Sequence, residues 1–411
     1  MHLKSRSSDF EFIALMASLM SMVALAIDAL LPALDVIGEA IGVTQVADNQ
    51  LLITMIFLGL GVGPMLFGPL SDSYGRKPVV YVGFGIFVIA SLICVYAPNL
   101  KIMVAGRILQ GIGLSAPRTI AIAIVRDKYS GDQMARIMSF VSVVFLLVPI
   151  VAPALGKWIL DATNWESIFL IQLVTGLFVM IWFWKRQPET LKDENRIPVK
   201  IKVFTNGFRE VLNQKVTMGY TIVSGLIFGS FMVYLSTSQQ VFEEQFGLKE
   251  EFPYIFAGLA FVLALSIFSN ATLVLKYGMR RMINSATIAY FLSSLTFVIV
   301  FYNQDNPSIY VLLGFFAVQF FAIGYLFGNL RALAMEPVGH IAGIAAAITG
   351  LISTLMAVPI STFIGRYVTN TVLPLFIGFL ACSTLALIII GFLQYSNKTG
   401  IFSRRESKVV D

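Results

Sequence analysis

Apolar stretches long enough to cross a bilayer follow one another along almost the whole chain, broken by short polar turns. A helical span needs about 20 apolar residues. The pattern predicts twelve of them, near 10–34, 49–70, 79–98, 102–125, 136–160, 166–185, 216–241, 253–275, 282–302, 308–333, 341–367 and 372–394. The turn at 68–78, Gly-Pro-Leu-Ser-Asp-Ser-Tyr-Gly-Arg-Lys-Pro, is too polar and too tight to lie in lipid. Two spans must therefore meet there at a membrane surface. A polar arm of about ten residues leads straight into the first full-length run, which predicts no cleavable leader. The longest polar stretch, 186–215, carries Pro188, Pro198 and mixed charge. It predicts a surface linker with a short amphipathic helix at Val199–Leu212. The expected organisation is a six-helix bundle over 1–185, a linker over 186–215, a second six-helix bundle over 216–395, and a tail over 396–411.

Composition agrees: 57% of the 411 residues are hydrophobic and 13% charged, against roughly a quarter charged in soluble domains. The net charge of +6 resolves into topology rather than a nucleic-acid surface. Basic residues gather on alternate turns: Arg76 and Lys77, Arg126 and Lys128, the linker, then Lys276, Arg280, Arg281 and the tail. The intervening turns carry acids, among them Asp35, Glu39, Asp48, Glu243, Glu244, Glu250 and Glu251. The positive-inside rule then puts both termini and the linker in the cytoplasm. Cys94 and Cys382 lie in separate apolar runs with no metal-ligand spacing, which predicts neither disulfide nor metal site. Tyr74-Gly-Arg-Lys77 has a weaker echo at Tyr277-Gly-Met-Arg280, at the matching place in the second half. With equal span counts and matching orientation, it predicts a duplicated six-plus-six plan.

The pattern Gly-x-Leu-x-Asp-x-x-Gly-Arg-Lys over 68–77 resembles the signature turn between spans two and three of the major facilitator superfamily. Arg107-Ile-Leu-Gln-Gly111 fits that family's Arg-x-x-Gln-Gly motif on span four, and 148–156 looks like the Gly-Pro-rich motif of its antiporters, with Ala152 and Lys157 departing from it. Ile124-Val-Arg-Asp127, Trp165 with Phe169, Pro188-Glu-Thr190, Ala332–Pro337 and His340–Gly343 resemble the bicyclomycin-resistance (Bcr/CflA) branch of drug:proton antiporters. The resemblance implies an all-α membrane protein with twelve transmembrane helices in two six-helix bundles. It also implies gating by an inner-surface charge cluster, Asp72, Arg76 and Asp127, with Gly68 and Gly75 shaping the turn. Pro149, Pro153 and Gly156 weaken span five and permit close helix approach.

Charged groups at bilayer depth cost roughly 2.5–3.5 kcal/mol each on insertion scales and mark functional candidates. Asp28, Arg107 and Arg118 are such groups. Counting inward from Asp35 and from Lys101 puts Asp28 and Arg107 each about 10 Å below one surface, so a facing pair, or a pair close enough to feel each other, is expected. A low-dielectric cavity favours the neutral carboxyl, and a nearby guanidinium favours the ionised one. The resemblance ties the matching acid and arginine to proton coupling; the alternative is a static structural pair. Arg118 returns to the same helix face as Arg107. It either lines the cavity, leaning the cargo toward anions, or bonds helix carbonyls beside Pro117. Gln110, Tyr234, Gln239, Asn270, Gln319 and Tyr325 are candidate cavity residues or interhelix hydrogen bonds.

Two histidines and two isolated cysteines supply no nucleophile–base set, so an enzyme is not expected. The expectation is a monomeric, proton-coupled antiporter in a bacterial inner membrane. It needs no cofactor or metal, and its partners are protons, lipid and a small organic cargo. An exporter of an endogenous anion, such as a carboxylate siderophore, is the alternative.

Overall fold

The computed structural model describes residues 3–196 and 201–398, and among these every regular element is helical. Pro198, and the tail beyond 398, lie outside the described residues. Fourteen α-helices run in order. The first seven are α1 (Leu3–Asp28), α2 (Leu34–Ala40), α3 (Leu51–Tyr74), α4 (Arg76–Val95), α5 (Leu100–Lys128), α6 (Gly131–Ala162) and α7 (Trp165–Arg186). The others are α8 (Ile201–Asn213), α9 (Lys215–Gln239), α10 (Phe252–Tyr277), α11 (Met279–Phe301), α12 (Ile309–Met335), α13 (Ala342–Gly365) and α14 (Leu373–Lys398). Eleven stretches among the described residues are long and apolar enough to cross a membrane. The longest, Ile309–Gly365, holds two helices, α12 and α13, joined by the 3₁₀ turn Glu336–Ile341. The expected amphipathic helix of the linker is α8.

One predicted span is not continuous. The first run, expected as a single helix over 10–34, stops being α-helical at Asp28 and resumes at Leu34. Pro32 is the cause: it has no N–H to offer the carbonyl four residues back, which belongs to Asp28, and its ring crowds that carbonyl. The chain tightens instead, with Leu30 N–H donating to Ile27 O at 3.3 Å and Ala33 N–H to Leu30 O at 3.0 Å.

The chain forms two compact units, Met1–Lys202 with Leu235–Phe261, and Val203–Tyr234 with Val262–Asp411. This boundary passes through α9 and α10, so the ends of these helices that are predicted to lie outside group with the first unit. Within that unit α1 packs on α5, α6 and α7, while α3 and α4 pack on α5. The contacts are close because small residues form them, as membrane helix packing favours. A Cβ at Gly156 of α6 would stand 1.9 Å from Ala29 O, immediately after the break in span one.

Within the second unit, α11 packs on α12 and α14. Its core is aromatic: the Phe297 and Phe376 rings stack with centroids 3.7 Å apart, flanked by Phe315 and Phe316. The linker helix α8 joins this unit through Gly207 against Ile344 and a 2.6 Å Glu210–His340 contact. The Tyr-Gly echo is structural as well. Gly75 (φ +105°) separates α3 from α4, and Gly278 (φ +80°) separates α10 from α11. Both are left-handed positions that favour glycine.

Gly156→Val is expected to push α6 off Ala29 and to destabilise the protein by about 1–3 kcal/mol, as overpacking does. Thermal unfolding of the purified variant in detergent checks this; an unchanged midpoint would mean the contact is unimportant.

Candidate functional site

The predicted site residues fall into groups within each unit. In the first, Asp28 ends α1 and is 5% exposed. Arg107 of α5 is fully buried. Of the two arrangements expected for Asp28 and Arg107, a direct ion pair is absent among the described residues. Arg107 directs Nε to Leu52 O at 2.6 Å, Nη1 to Gln110 Oε1 at 2.8 Å and Nη2 to Ala26 O at 3.0 Å. Its guanidinium also lies 6.0 Å from the centroid of the Phe169 ring.

The break in span one explains that choice. The last carbonyls of any helix lack intrahelical partners, and Leu30 N–H has turned to Ile27 rather than Ala26. Arg107 caps the Ala26 carbonyl from α5, and Gln172 Nε2 of α7 reaches Leu25 O at 3.4 Å. A cation is also favourable at the negative end of the helix dipole. The two residues predicted as a pair thus share one level of the fold, but the arginine acts on the backbone beside the acid. Among the described residues no hydrogen bond or ion pair engages the Asp28 carboxylate. Pro32, four residues after Asp28, is the sequence signal for this geometry.

Gln110, expected to line a cavity, is fully buried and fully used: it accepts from Arg107 and donates to Ser91 Oγ at 2.9 Å. Ser91 in turn donates to Phe87 O at 2.8 Å. The second unit repeats this motif. Gln319 Nε2 donates to Ser294 Oγ at 2.8 Å, and Ser294 to Tyr290 O at 2.8 Å. Three residues before each glutamine stands Arg107 in the first half and Phe316 in the second. The recurring motif therefore stands beside a charge in the first unit and beside an aromatic ring in the second. Ser91 and Ser294 were not singled out by sequence, because a lone serine in an apolar run has no distinguishing pattern.

Other predicted residues separate. Tyr234 is buried in the second unit against Phe316 and Phe320, with ring centroids 5.2 and 4.6 Å away. Asn270 accepts from Asn329 Nδ2 at 2.8 Å, and Tyr325 shares a 2.7 Å hydrogen bond with Ser269. Gln239 belongs instead to the first unit, where it donates to Asp35 and Glu243. Arg118 is half-buried on α5 and is engaged by its surroundings.

The expected gating cluster is assembled within the first unit. Arg76, 3% exposed, holds Asp72 at 2.5 Å, forks onto Asp127 at 2.9 and 3.3 Å, and donates to Ser71 Oγ, which itself donates to Gly68 O. Thr190 Oγ1 also donates to Asp127, at 2.9 Å. Glu189 closes the assembly by accepting the backbone N–H groups of Arg76 at 3.0 Å and Lys77 at 2.9 Å, together with those of Thr190 and Leu191. It caps the first turn of α4, where an acid also complements the dipole. Burial works against its ionisation, but the four N–H donors outweigh that and hold its carboxyl below the usual glutamate range.

Two expectations follow. Arg107→Lys leaves buried carbonyls unsatisfied and is expected to cost about 1–3 kcal/mol, read as a lower unfolding midpoint in detergent. The Glu189 contribution, arising from a lowered carboxyl, is fully present above the ordinary glutamate value of about 4.3. It is lost as pH falls through the lowered value. The stability difference between parent and Glu189→Gln should therefore be constant near neutrality and shrink on acidification; a difference that grows would refute the capping role.

The Major Facilitator Superfamily profile matches residues 15–358. A bicyclomycin resistance protein homolog of Haemophilus influenzae is 26% identical over 383 residues, covering 91% of this chain and 93% of its own. The MFS-type transporter YdgK of Bacillus subtilis is 29% identical over 79% of this chain and 81% of its own. The multidrug resistance protein MdtL of Shewanella oneidensis is 24% identical over 83% and 85%. Among solved structures, a D-xylose–proton symporter superposes with a TM-score of 0.72 at 12% identity over 93% of this chain and 96% of that one, a likeness of fold. The chain belongs to the Major Facilitator Superfamily, as a membrane transporter whose relatives are consistent with the bicyclomycin-resistance branch of drug efflux proteins.

Proposed function

We propose that this transporter is a proton-coupled antiporter that exports small organic, drug-like molecules across a bacterial inner membrane by alternating access. The observation that carries the coupling is the Asp28 carboxylate. It is enclosed at the end of α1, by this reading at bilayer depth, with no hydrogen bond or ion pair among the described residues. Ionisable groups at such depth mark proton and substrate pathways. Asp28 takes a proton from outside as cargo leaves and releases it inside, resetting the site. Arg107 maintains the helix end that presents the carboxylate and keeps positive charge nearby, so a small shift of α1 against α5 changes the balance between the two forms. The names of the resistance-protein relatives support organic cargo.

In this reading twelve spans, with both termini and the 186–215 linker in the cytoplasm, form two six-span halves of a monomer that move as units. The Arg76 cluster and Glu189 cap stiffen the cytoplasmic end of the first half and act in gating. Asn270, Gln319, Tyr325 and Tyr234 contribute from the second half to cargo contact or to its support. A second reading, export of an endogenous organic anion, is favoured by Arg118, a permanently charged guanidinium within a predicted span.

The test is proton release from purified protein in weakly buffered detergent as cationic, neutral and carboxylate compounds are added. Release by the parent that disappears in Asp28→Asn is expected, and the responding compounds identify the cargo's charge class. Release that persists in Asp28→Asn would remove Asp28 as carrier; binding without release would make the protein a facilitator.

A further inference from the structure

In the second unit α9 and α12 meet through a seam of aromatic rings. Phe327 lies edge-to-face against Phe231 and Phe228, with ring centroids 5.5 and 6.2 Å apart. Phe320 lies likewise against Phe231 and Tyr234, at 5.7 and 4.6 Å. Numbers rise along one helix as they fall along the other, so the two run antiparallel. Phe228, Phe231 and Phe327 are only half-buried, which leaves part of each ring open to a further molecule.

One turn beyond Phe327, on the same face of α12, stands Arg331. It is exposed, and among the described residues no acceptor holds it. Arg76 and Arg107, by contrast, spend their donors on protein oxygens. Arg331 is the only charged residue of α12, and Lys215 the only one of α9, so neither helix supplies an acid. Glu336, just past the end of α12, forms no ion pair among the described residues. Lys276, Arg280 and Arg281, where α10 meets α11, are basic as well. The antiparallel register brings Ser224, half-buried and one turn before Phe228, level with Arg331.

Ring and guanidinium are thus one turn apart, about 6 Å along the axis. A guanidinium without an acceptor prefers a carboxylate, which it can hold through two parallel hydrogen bonds. Half-open rings accept another ring in offset or edge-on contact. Both demands are met by one molecule with an aromatic body and a carboxylate one turn away.

We propose that Arg331, with Phe327, Phe231 and Phe228, forms a binding site for aromatic carboxylates, and that Ser224 adds a donor to the carboxylate. The proposal rests on the second reading, export of an organic anion, and names the class of that anion.

Equilibrium binding is measured by titration calorimetry on the purified full-length protein at neutral pH, with naphthalene-2-carboxylate and its uncharged carboxamide as probes. The carboxylate is expected to bind saturably, and the carboxamide about tenfold or more weaker, for want of a charged acceptor. Arg331→Gln should bring the carboxylate down to the carboxamide and leave the carboxamide unchanged. Phe231→Leu should weaken both severalfold. The two probes already differ on the parent, so a variant that fails to fold does not remove the test. No carboxylate binding, equal binding of the two probes, or carboxylate binding that survives Arg331→Gln overturns the proposal. Full displacement by inorganic phosphate, with no loss in Phe231→Leu, makes the site a general anion site and also overturns it. Carboxylate binding that depends on Arg331 but releases no proton keeps the site and removes antiport. Proton release driven only by cationic or neutral compounds, without carboxylate binding, keeps antiport and removes the site.

Discussion

The interruption of span one at Asp28 is the constraint on which the first unit depends. Ending a helix inside a membrane leaves carbonyls without partners in a medium that supplies none. Pro32 forces that ending, and the fold answers it with Arg107 from α5 on Ala26 O, while Gln172 from α7 is a second donor to Leu25 O, which also accepts from Ala29 N–H. Gly156 brings α6 against Ala29 at the same level. Four spans thus converge on one turn of backbone, and the Asp28 side chain is set where they converge. A buried guanidinium that caps a helix end is held by geometry rather than by ion pairing, so it stays in place whether the neighbouring acid is charged or neutral.

Motifs that recur in both units separate scaffold from specialised parts. The glutamine–serine–carbonyl chains of Gln110 and Gln319, and the positive-φ glycines Gly75 and Gly278, occur in both copies. The serine links are alike, but Gln110 Oε1 accepts from Arg107 whereas Gln319 Oε1 is buried without a hydrogen-bond partner. Arg107 against Phe316 is where the copies part, and Asp28 lies beside the charged member. The Arg76 assembly is likewise developed in the first copy, whose turn retains the acids that complete its hydrogen bonds. Met279 takes the place of Arg76 in the second copy.

Polar contacts at the two ends of the first unit differ in kind. At the predicted inner end, a buried arginine forks onto two acids and a glutamate caps a helix, so every charge has an opposite or a donor. At the predicted outer end, Asp35 and Glu243 both accept from the Gln239 amide, and Asp35 also from Asn49.

The succession of long apolar helices, the linker helix and the Tyr-Gly turn that recurs at Gly278 were legible in the sequence, because the length of an apolar run and the composition of a turn are local properties that a single chain records directly. The inner cluster of Asp72, Arg76 and Asp127 was legible through its motif. The partners of Arg107, the full engagement of Gln110 and the grouping of Gln239 with Asp35 were not. Each depends on which helix faces which, and a polar residue in an apolar run looks the same whether it meets a carbonyl, a serine or a cavity. The expected single span over 10–34 passed over the break at Pro32, and only the tertiary structure decided that a side chain 81 residues away in sequence would close it. In a membrane the nearest unsatisfied carbonyl, rather than the nearest opposite charge, sets where a buried guanidinium goes.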